Sequence, residues 1–161
     1  MPCCKAPGRR DTGRMSPGIA PSVVGMNLVS LRIITADVAR LVAFYERLTA
    51  VAAVWSTPDF AEIPTSSGTL AIGSTNTVPV FAPGSAEPAA NRSAIVEFIV
   101  EDVDAAYAEL VTWVDDVVTP PTTMPWGNRA VVVRDPDGTL VNLFTPVGEA
   151  AVAKFAAVPR S

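Results

Sequence analysis

Arg32 and Glu97 stand at equivalent points of two similar segments, each five residues before an aspartate, Asp37 and Asp102. Opposite charges in such positions can form a pair that orients a polar ligand, or they can cancel as a structural ion pair. Alternation along an extended chain puts Ser30 on the face of Arg32 and Ile95 on the face of Glu97. Asn142 shares a face with Leu140 and Phe144. Its amide can bond a ligand or be satisfied within the core. Trp126 and Arg129 lie where a loop enters a strand. There an indole can stack on a planar ligand and a guanidinium can grip an anion. As a packing Trp and a solvated Arg they would do neither. Trp55 and Phe60 flank the turn "STPD", where they either rim a cavity or close a hairpin. Glu62 and Glu97 could share acid–base work, though nothing in their spacing demands it.

Histidine is missing from all 161 residues. This excludes a His-ligated metal, a Ser-His-Asp or Cys-His nucleophile and an imidazole base. The chain is 49% hydrophobic and 17% charged, a balance that suits a folded domain and not a disordered one. Lys5, Arg9, Arg10 and Arg14 against Asp11 give residues 1–25 a net charge of +3, which leaves −7 for the body. An acidic body repels a phosphate backbone, so nucleic acid is not an expected partner. The two cysteines, Cys3 and Cys4, are neighbours and build no disulfide framework, which suits a reducing cytoplasm. No apolar run is long enough to span a membrane, and no secretory signal pattern opens the chain.

The elements that must position these residues come from an internal repeat. "RIITADVARLVAFYERL" (Arg32–Leu48) matches "EFIVEDVDAAYAELV" (Glu97–Val111) at an offset of 65. In both copies the apolar residues recur at i, i+3, i+4 and i+7, one face of an amphipathic helix that carries Tyr45 and Tyr107 into the core. In both, an aspartate stands where it can cap the helix, and a β-branched run (Val29–Thr35, Ala94–Val100) precedes it. Strand patterns follow each helix: Val51–Trp55, Phe60–Ile63 and Thr69–Gly73 in the first copy; Asp116–Thr119, Arg129–Arg134 and Thr139–Phe144 in the second. "RDPDGT" (Arg134–Thr139) reads as a hairpin turn with Gly138 at positive φ. Thr119–Asn128 reads as a loop. Residues 74–92 carry no pattern and read as the linker between halves. Residues 1–25, rich in Pro and Gly, read as a disordered extension; Met1, Met15 and Met26 are all open as starts of translation. The expected layout is an α+β domain over residues 26–149, in modules 26–80 and 93–149. A tail over 150–161 follows, Ala-rich and suited to a short helix.

"DVARLVAFYERL", "EFIVEDVDAAYAEL" and above all "PWGNRAVVVRDPDGTLVNLFTP" resemble the vicinal oxygen chelate superfamily. It includes glyoxalase I, extradiol dioxygenases, fosfomycin-resistance enzymes and bleomycin-resistance proteins. The resemblance runs from Asn27 to Val147. It implies paired βαβββ modules whose sheets curl around a cavity, and a homodimer. It also implies that Ser30, Arg32, Ile95 and Glu97 face that cavity, so that Arg32 and Glu97 meet across its floor. Enzymes of the superfamily use a divalent ion held by His and Glu at four places, and the alignment sets Ser30, Ile72, Ile95 and Asn142 there. Isoleucine cannot coordinate, and Ser and Asn are weak neutral donors.

The resulting expectation is a cytoplasmic, metal-independent small-molecule binding protein without cofactor. Its ligand-binding candidates are Ser30, Arg32, Glu97, Asn142, Trp126, Arg129 and Phe144. Two alternatives stay open: a lyase, isomerase or dioxygenase-like enzyme with an atypical site, and a non-catalytic dimeric scaffold.

Overall fold

The computed structural model describes residues 26–159. The proposed extension, residues 1–25, lies outside them.

Two copies of one pattern make the fold. The first runs β1 (Ser30–Thr35), α1 (Val38–Thr49), β2 (Val54–Thr57), β3 (Phe60–Pro64), β4 (Thr69–Ser74). The second runs β5 (Ile95–Ile99), α3 (Val103–Leu110), β6 (Val117–Thr123), β7 (Asn128–Arg134), β8 (Leu140–Pro146). Each copy closes a four-stranded mixed sheet, ordered β1-β4-β3-β2 and β5-β8-β7-β6. In each, the first strand runs parallel to the last, because a helix carries the chain across between them.

Both helices start on the aspartates that the repeat singles out. Asp37 Oδ1 accepts from Arg40 N at 3.0 Å, while Asp102 Oδ1 accepts from Asp104 N at 2.9 Å and Ala105 N at 3.1 Å. Val38, Leu41, Val42 and Tyr45 are the buried stripe of α1. They join Ile63, Leu70 and Ile72 of the first sheet and Val131, Val133 and Val141 of the second in one hydrophobic core. That core lies on the helix side of both sheets.

Helix α1 also ties the modules together. The Tyr45 hydroxyl donates to Asp135 Oδ2 at 2.9 Å, in the turn between β7 and β8. Arg40 bonds Asp137 in the same turn. Phe44 meets Trp113 edge-on at 5.4 Å. The turn itself has the expected form: Asp135 N donates to Thr139 O at 2.9 Å, and Gly138 has φ of 82°.

Three expectations need correction. Strand β6 extends to Thr123, through Pro120 and Pro121, where a loop was expected. It is an edge strand, and its register jumps between Thr119 and Thr122, so neither proline has to donate a ladder hydrogen bond. Residues 74–92 are not without structure. They hold a 3-10 turn (Thr75–Thr77) and a one-turn helix α2 (Val78–Phe81), too short to show a period. The third correction, at Ile72, concerns the site.

The C-terminal residues form helix α4 (Glu149–Lys154). It docks where Gly148 meets Gly127. A Cβ on Gly148 would stand 2.9 Å from Gly127 Cα, and Gly127 O accepts from Val147 N and Gly148 N. Only a residue without a side chain allows that approach.

Candidate functional site

With the helices on one side of each sheet, the residues between the core positions form the other, concave side. Strand register sorts them into rows. Arg32 (β1), Ala71 (β4) and Glu62 (β3) form one row of the first sheet. Glu97 (β5), Asn142 (β8) and Val132 (β7) form the matching row of the second. Ser30 and Ile95 lie one step earlier on the same sides.

Strands β1 and β5 are each one edge of their sheet, and open clefts run between them. One, of about 330 Å3, is lined by Ser30, Thr69, Ile95 and Glu97. The other, of about 550 Å3, is lined by Arg32, Ile34, Asn91, Val96 and Thr139, with Glu87 on its loop wall. The structure thus brings Ser30, Ile95 and Glu97 to one cleft, with Asn142 bonded to Glu97 and Arg32 opening onto the other.

Arg32 and Glu97 do not pair. Among the described residues Arg32 has no ion-pair partner. Its guanidinium carbon instead lies 4.9 Å from the centre of the Phe60 ring and 5.8 Å from that of Phe81. Glu97 Oε1 accepts from Asn142 Nδ2 at 2.8 Å. The amide beside Glu97 competes successfully because it is the next strand's residue in register, whereas Arg32 belongs to another sheet. Asn142 Oδ1 is buried and has no partner among the described residues.

The remaining candidates are scattered. Arg129 lies on the helix side, where it lines a separate pocket of about 520 Å3 with Glu101, Asp102, Asp104 and Thr145. Its Nε and Nη2 each reach the Asp104 carboxylate at 2.7 Å. That bidentate bond holds the Asp104 carboxyl below its usual range. The register explains the turnaround: Arg129 is an even number of residues from the core positions Val131 and Val133, so it shares their face. Trp126 is 66% exposed at the tip of the β6–β7 loop. Phe144 is on the concave side but only 6% exposed, covered by Phe155 with ring centres 5.1 Å apart. Helix α4 fills that end of the second sheet. Trp55 is exposed on β2, and Phe60 supports Arg32.

Ile72 is fully buried in the helix-side core, so it does not face the clefts. The concave residue on β4 is Ala71. The repeat match of "GTLAIG" to "GTLVNL" aligns Ile72 with Asn142, but β1 pairs with β4 and β5 with β8 in registers that set Ala71 opposite Arg32 and Asn142 opposite Glu97. Sequence reasoning also passed over Phe81 as a site residue. It belongs to α2, which carries no periodic signal.

Tyr45 and Asp135 are shifted by burial, and both are structural. Burial, then the Asp135 carboxylate, push the Tyr45 hydroxyl far above the ordinary phenol range. Burial likewise raises Asp135, against the hydrogen bonds it accepts from Thr139, Tyr45 and Asp137.

A family model described as "Glyoxalase/Bleomycin resistance protein/Dioxygenase superfamily" matches residues 27–143. The chain belongs to this superfamily. No match is found among curated proteins. Several solved structures share its fold. A glyoxalase/bleomycin resistance protein/dioxygenase from Nocardioides is similar at 22% identity and a TM-score of 0.67, over 80% of this chain and 88% of that one. A family enzyme from Burkholderia phytofirmans aligns at 17% identity and a TM-score of 0.65, over 76% of this chain and all of that one (100%). TioX from Micromonospora aligns at 22% identity and a TM-score of 0.59, over 76% and 100%. At these identities the likeness carries the fold alone.

Members of the superfamily that act as enzymes hold a divalent ion on the concave side. The residues here do not fit one. The four strand positions offer Ser30, Ala71, Ile95 and Asn142, and the Glu97 carboxylate beside them already accepts the Asn142 amide. Among the described residues no group of three or more His, Cys, Asp or Glu side chains is placed to hold a metal ion. One carboxylate with neutral oxygen donors is a poor match for a transition metal. Among the same residues, no helix is long and apolar enough to cross a membrane.

Proposed function

We propose that this superfamily member is a metal-independent small-molecule binding protein, acting in the cytoplasm as a homodimer. The observation that carries the reading is the make-up of the concave rows. They combine apolar floor (Ile34, Ala71, Ile95, Val132) with a few polar groups (Ser30, Arg32, Glu62, Glu97, Asn142). That is the composition of a recognition pocket and lacks a ligand set. Ser30, Arg32, Glu97 and Asn142 are the ligand contacts in this reading. Trp126, exposed on its loop, is kept as a rim contact, while Arg129 and Phe144 serve the packing of α3 and α4. Leu28, Val29 and Leu31, exposed at the β1 edge, favour burial of that edge in a dimer.

Metal analysis of the purified protein, joined to a thermal-shift screen of small metabolites, tests it. A bound ligand raises the melting temperature. Tight stoichiometric Ni, Zn, Fe or Mn would defeat the reading, as would a screen without a single binder. Sedimentation at micromolar concentration reads the dimer.

A second reading makes Glu97 the base of a lyase or isomerase. It is favoured by one feature: an exposed carboxylate held in place by the Asn142 amide beside a cleft. Glu97→Gln separates the two: in a binder it weakens the ligand by no more than one charged contact, and in an enzyme it abolishes turnover while the substrate still binds.

A further inference from the structure

Arg32 differs by position from the other cations among the described residues: Arg92 and Lys154 also make no ion pair, but they lie in the linker before β5 and on α4, the latter over Phe155. Arg40, Arg129 and Arg134 each face an aspartate, Asp137, Asp104 and Asp116. Arg47 lies over Trp113 on the last turn of α1, outside the clefts. Arg32 alone stands on the concave side of its sheet without a carboxylate within ion-pair distance among the described residues. The two acidic neighbours that could have claimed it do not: Glu62 is two strands away in its row, across Ala71, and Glu97 is taken by Asn142. Glu87 and Asp137, which line the larger cleft with it, also make no ion pair with it; Asp137 faces Arg40.

The guanidinium nevertheless has a defined place. Phe60 supports it at 4.9 Å and Phe81 flanks it at 5.8 Å. A guanidinium carried on aromatic rings loses little by the contact and keeps its edge N–H donors free. No hydrogen bond from Arg32 to any described residue uses them. Those donors form a planar fork that matches a carboxylate in bidentate fashion. Around the fork the surface is mixed: Ile34, Phe60 and the Thr77 hydroxyl surround Gly73, Phe81 is 57% exposed, and Ser85 and Asn91 line the cleft with Arg32.

We propose that Arg32 is the anchor for an anionic ligand, a carboxylate carried on a flat apolar body that lies against Phe60 and Phe81. This rests on the small-molecule reading above and names the chemical class that the site selects. Fork geometry sets the carboxylate, and the two phenyl rings set the flat apolar remainder. Glu87 disfavours dianions, so one negative charge suits the site better than two.

Naphthoate and its neutral amide, naphthamide, are the probes, measured by calorimetry on the full chain and on three variants. Arg32→Met keeps an apolar stem over Phe60 and removes the charge. Arg32→Lys keeps the charge and removes the fork. Arg47→Met removes a ring-stacked arginine outside the clefts. The expected result is naphthoate bound about tenfold to a hundredfold more tightly than naphthamide, the effect of a charge-assisted hydrogen bond. Arg32→Met erases the preference, Arg32→Lys recovers part of it, and Arg47→Met leaves it unchanged. Equal binding of the two probes, or a preference that survives Arg32→Met in a variant with wild-type melting temperature, overturns the proposal. So does failure of naphthoate while neutral compounds bind in the thermal-shift screen, which would leave the small-molecule reading intact. Failure of every compound would remove both.

Discussion

The two modules are built alike and finished differently. After its last strand each sheet is followed by a short helix, α2 in the first module and α4 in the second. Helix α4 folds back onto its own sheet, seats Phe155 on Phe144 and locks through the Gly127–Gly148 contact. Helix α2 leaves Val80 and Phe81 largely exposed and gives Arg32 a second ring to lie beside. The polar rows diverge in the same way. Asn142 next to Glu97 ties that carboxylate down, whereas Ala71 next to Arg32 has nothing to offer it. Glu97 is thereby bonded within its own row, and Arg32 keeps its charge without an ion-pair partner among the described residues. A duplicated frame can hold its core constant and still specialise its halves, because the core uses one parity of each strand and the concave side uses the other.

The helices differ too. Helix α1 buries a full stripe and reaches both modules, while α3 is shorter and buries Val103 and Leu110. Leu41→Ala is therefore expected to cost about 2–5 kcal/mol, read by urea unfolding. Tyr107→Ala, at a half-buried site of α3, is expected to cost clearly less. Equal losses would dissolve the contrast between the helices. Next in size, Gly148→Ala forces a Cβ onto Gly127 and is expected to cost about 1–3 kcal/mol. It should raise amide exchange in α4 while β1–β4 keep their protection.

The contact between modules sets a pH dependence. Asp135 binds its proton more tightly in the folded chain than in the unfolded one, so its contribution to stability is greatest below the ordinary aspartate range. That contribution is lost as pH rises through its elevated folded pKa. Asp104 runs the other way: its depressed carboxyl favours folding above that range and loses this as pH falls. Asp135→Asn, which keeps a partner for Tyr45 and an acceptor for Thr139, should remove the first trend and leave the second, as followed by melting temperature against pH. The smallest effect expected is at the caps. Asp102→Ala and Asp37→Ala should each cost about 0.5–2 kcal/mol. Asp102 should cost the more, since it accepts two backbone N–H groups and Asp37 one.

Particular residues show where sequence reading held and where it stopped. The Asp caps, the α1 stripe, the Gly138 turn and the alternation of Ser30 with Arg32 are all local, and each has its predicted place. Helix α2 is short enough to hide in composition, whereas the Ala-rich tail announced α4. Arg129 could have been assigned by counting parity from Val131 and Val133. The same count along β4, from Leu70 to Ile72, would have set Ala71 on the concave side. The partners of Arg32 and Glu97 had no such signal.

By itself the chain's pattern of apolar periods, caps and turn residues dictated the paired βαβββ modules, because each of those devices acts within a few residues. Which charge stays free was decided in three dimensions. It depends on the side chain that register places one strand away, on the ring that a one-turn helix carries back, and on the gap left between two sheet edges. Those are contacts between residues tens of positions apart, and only packing brings them within bonding distance.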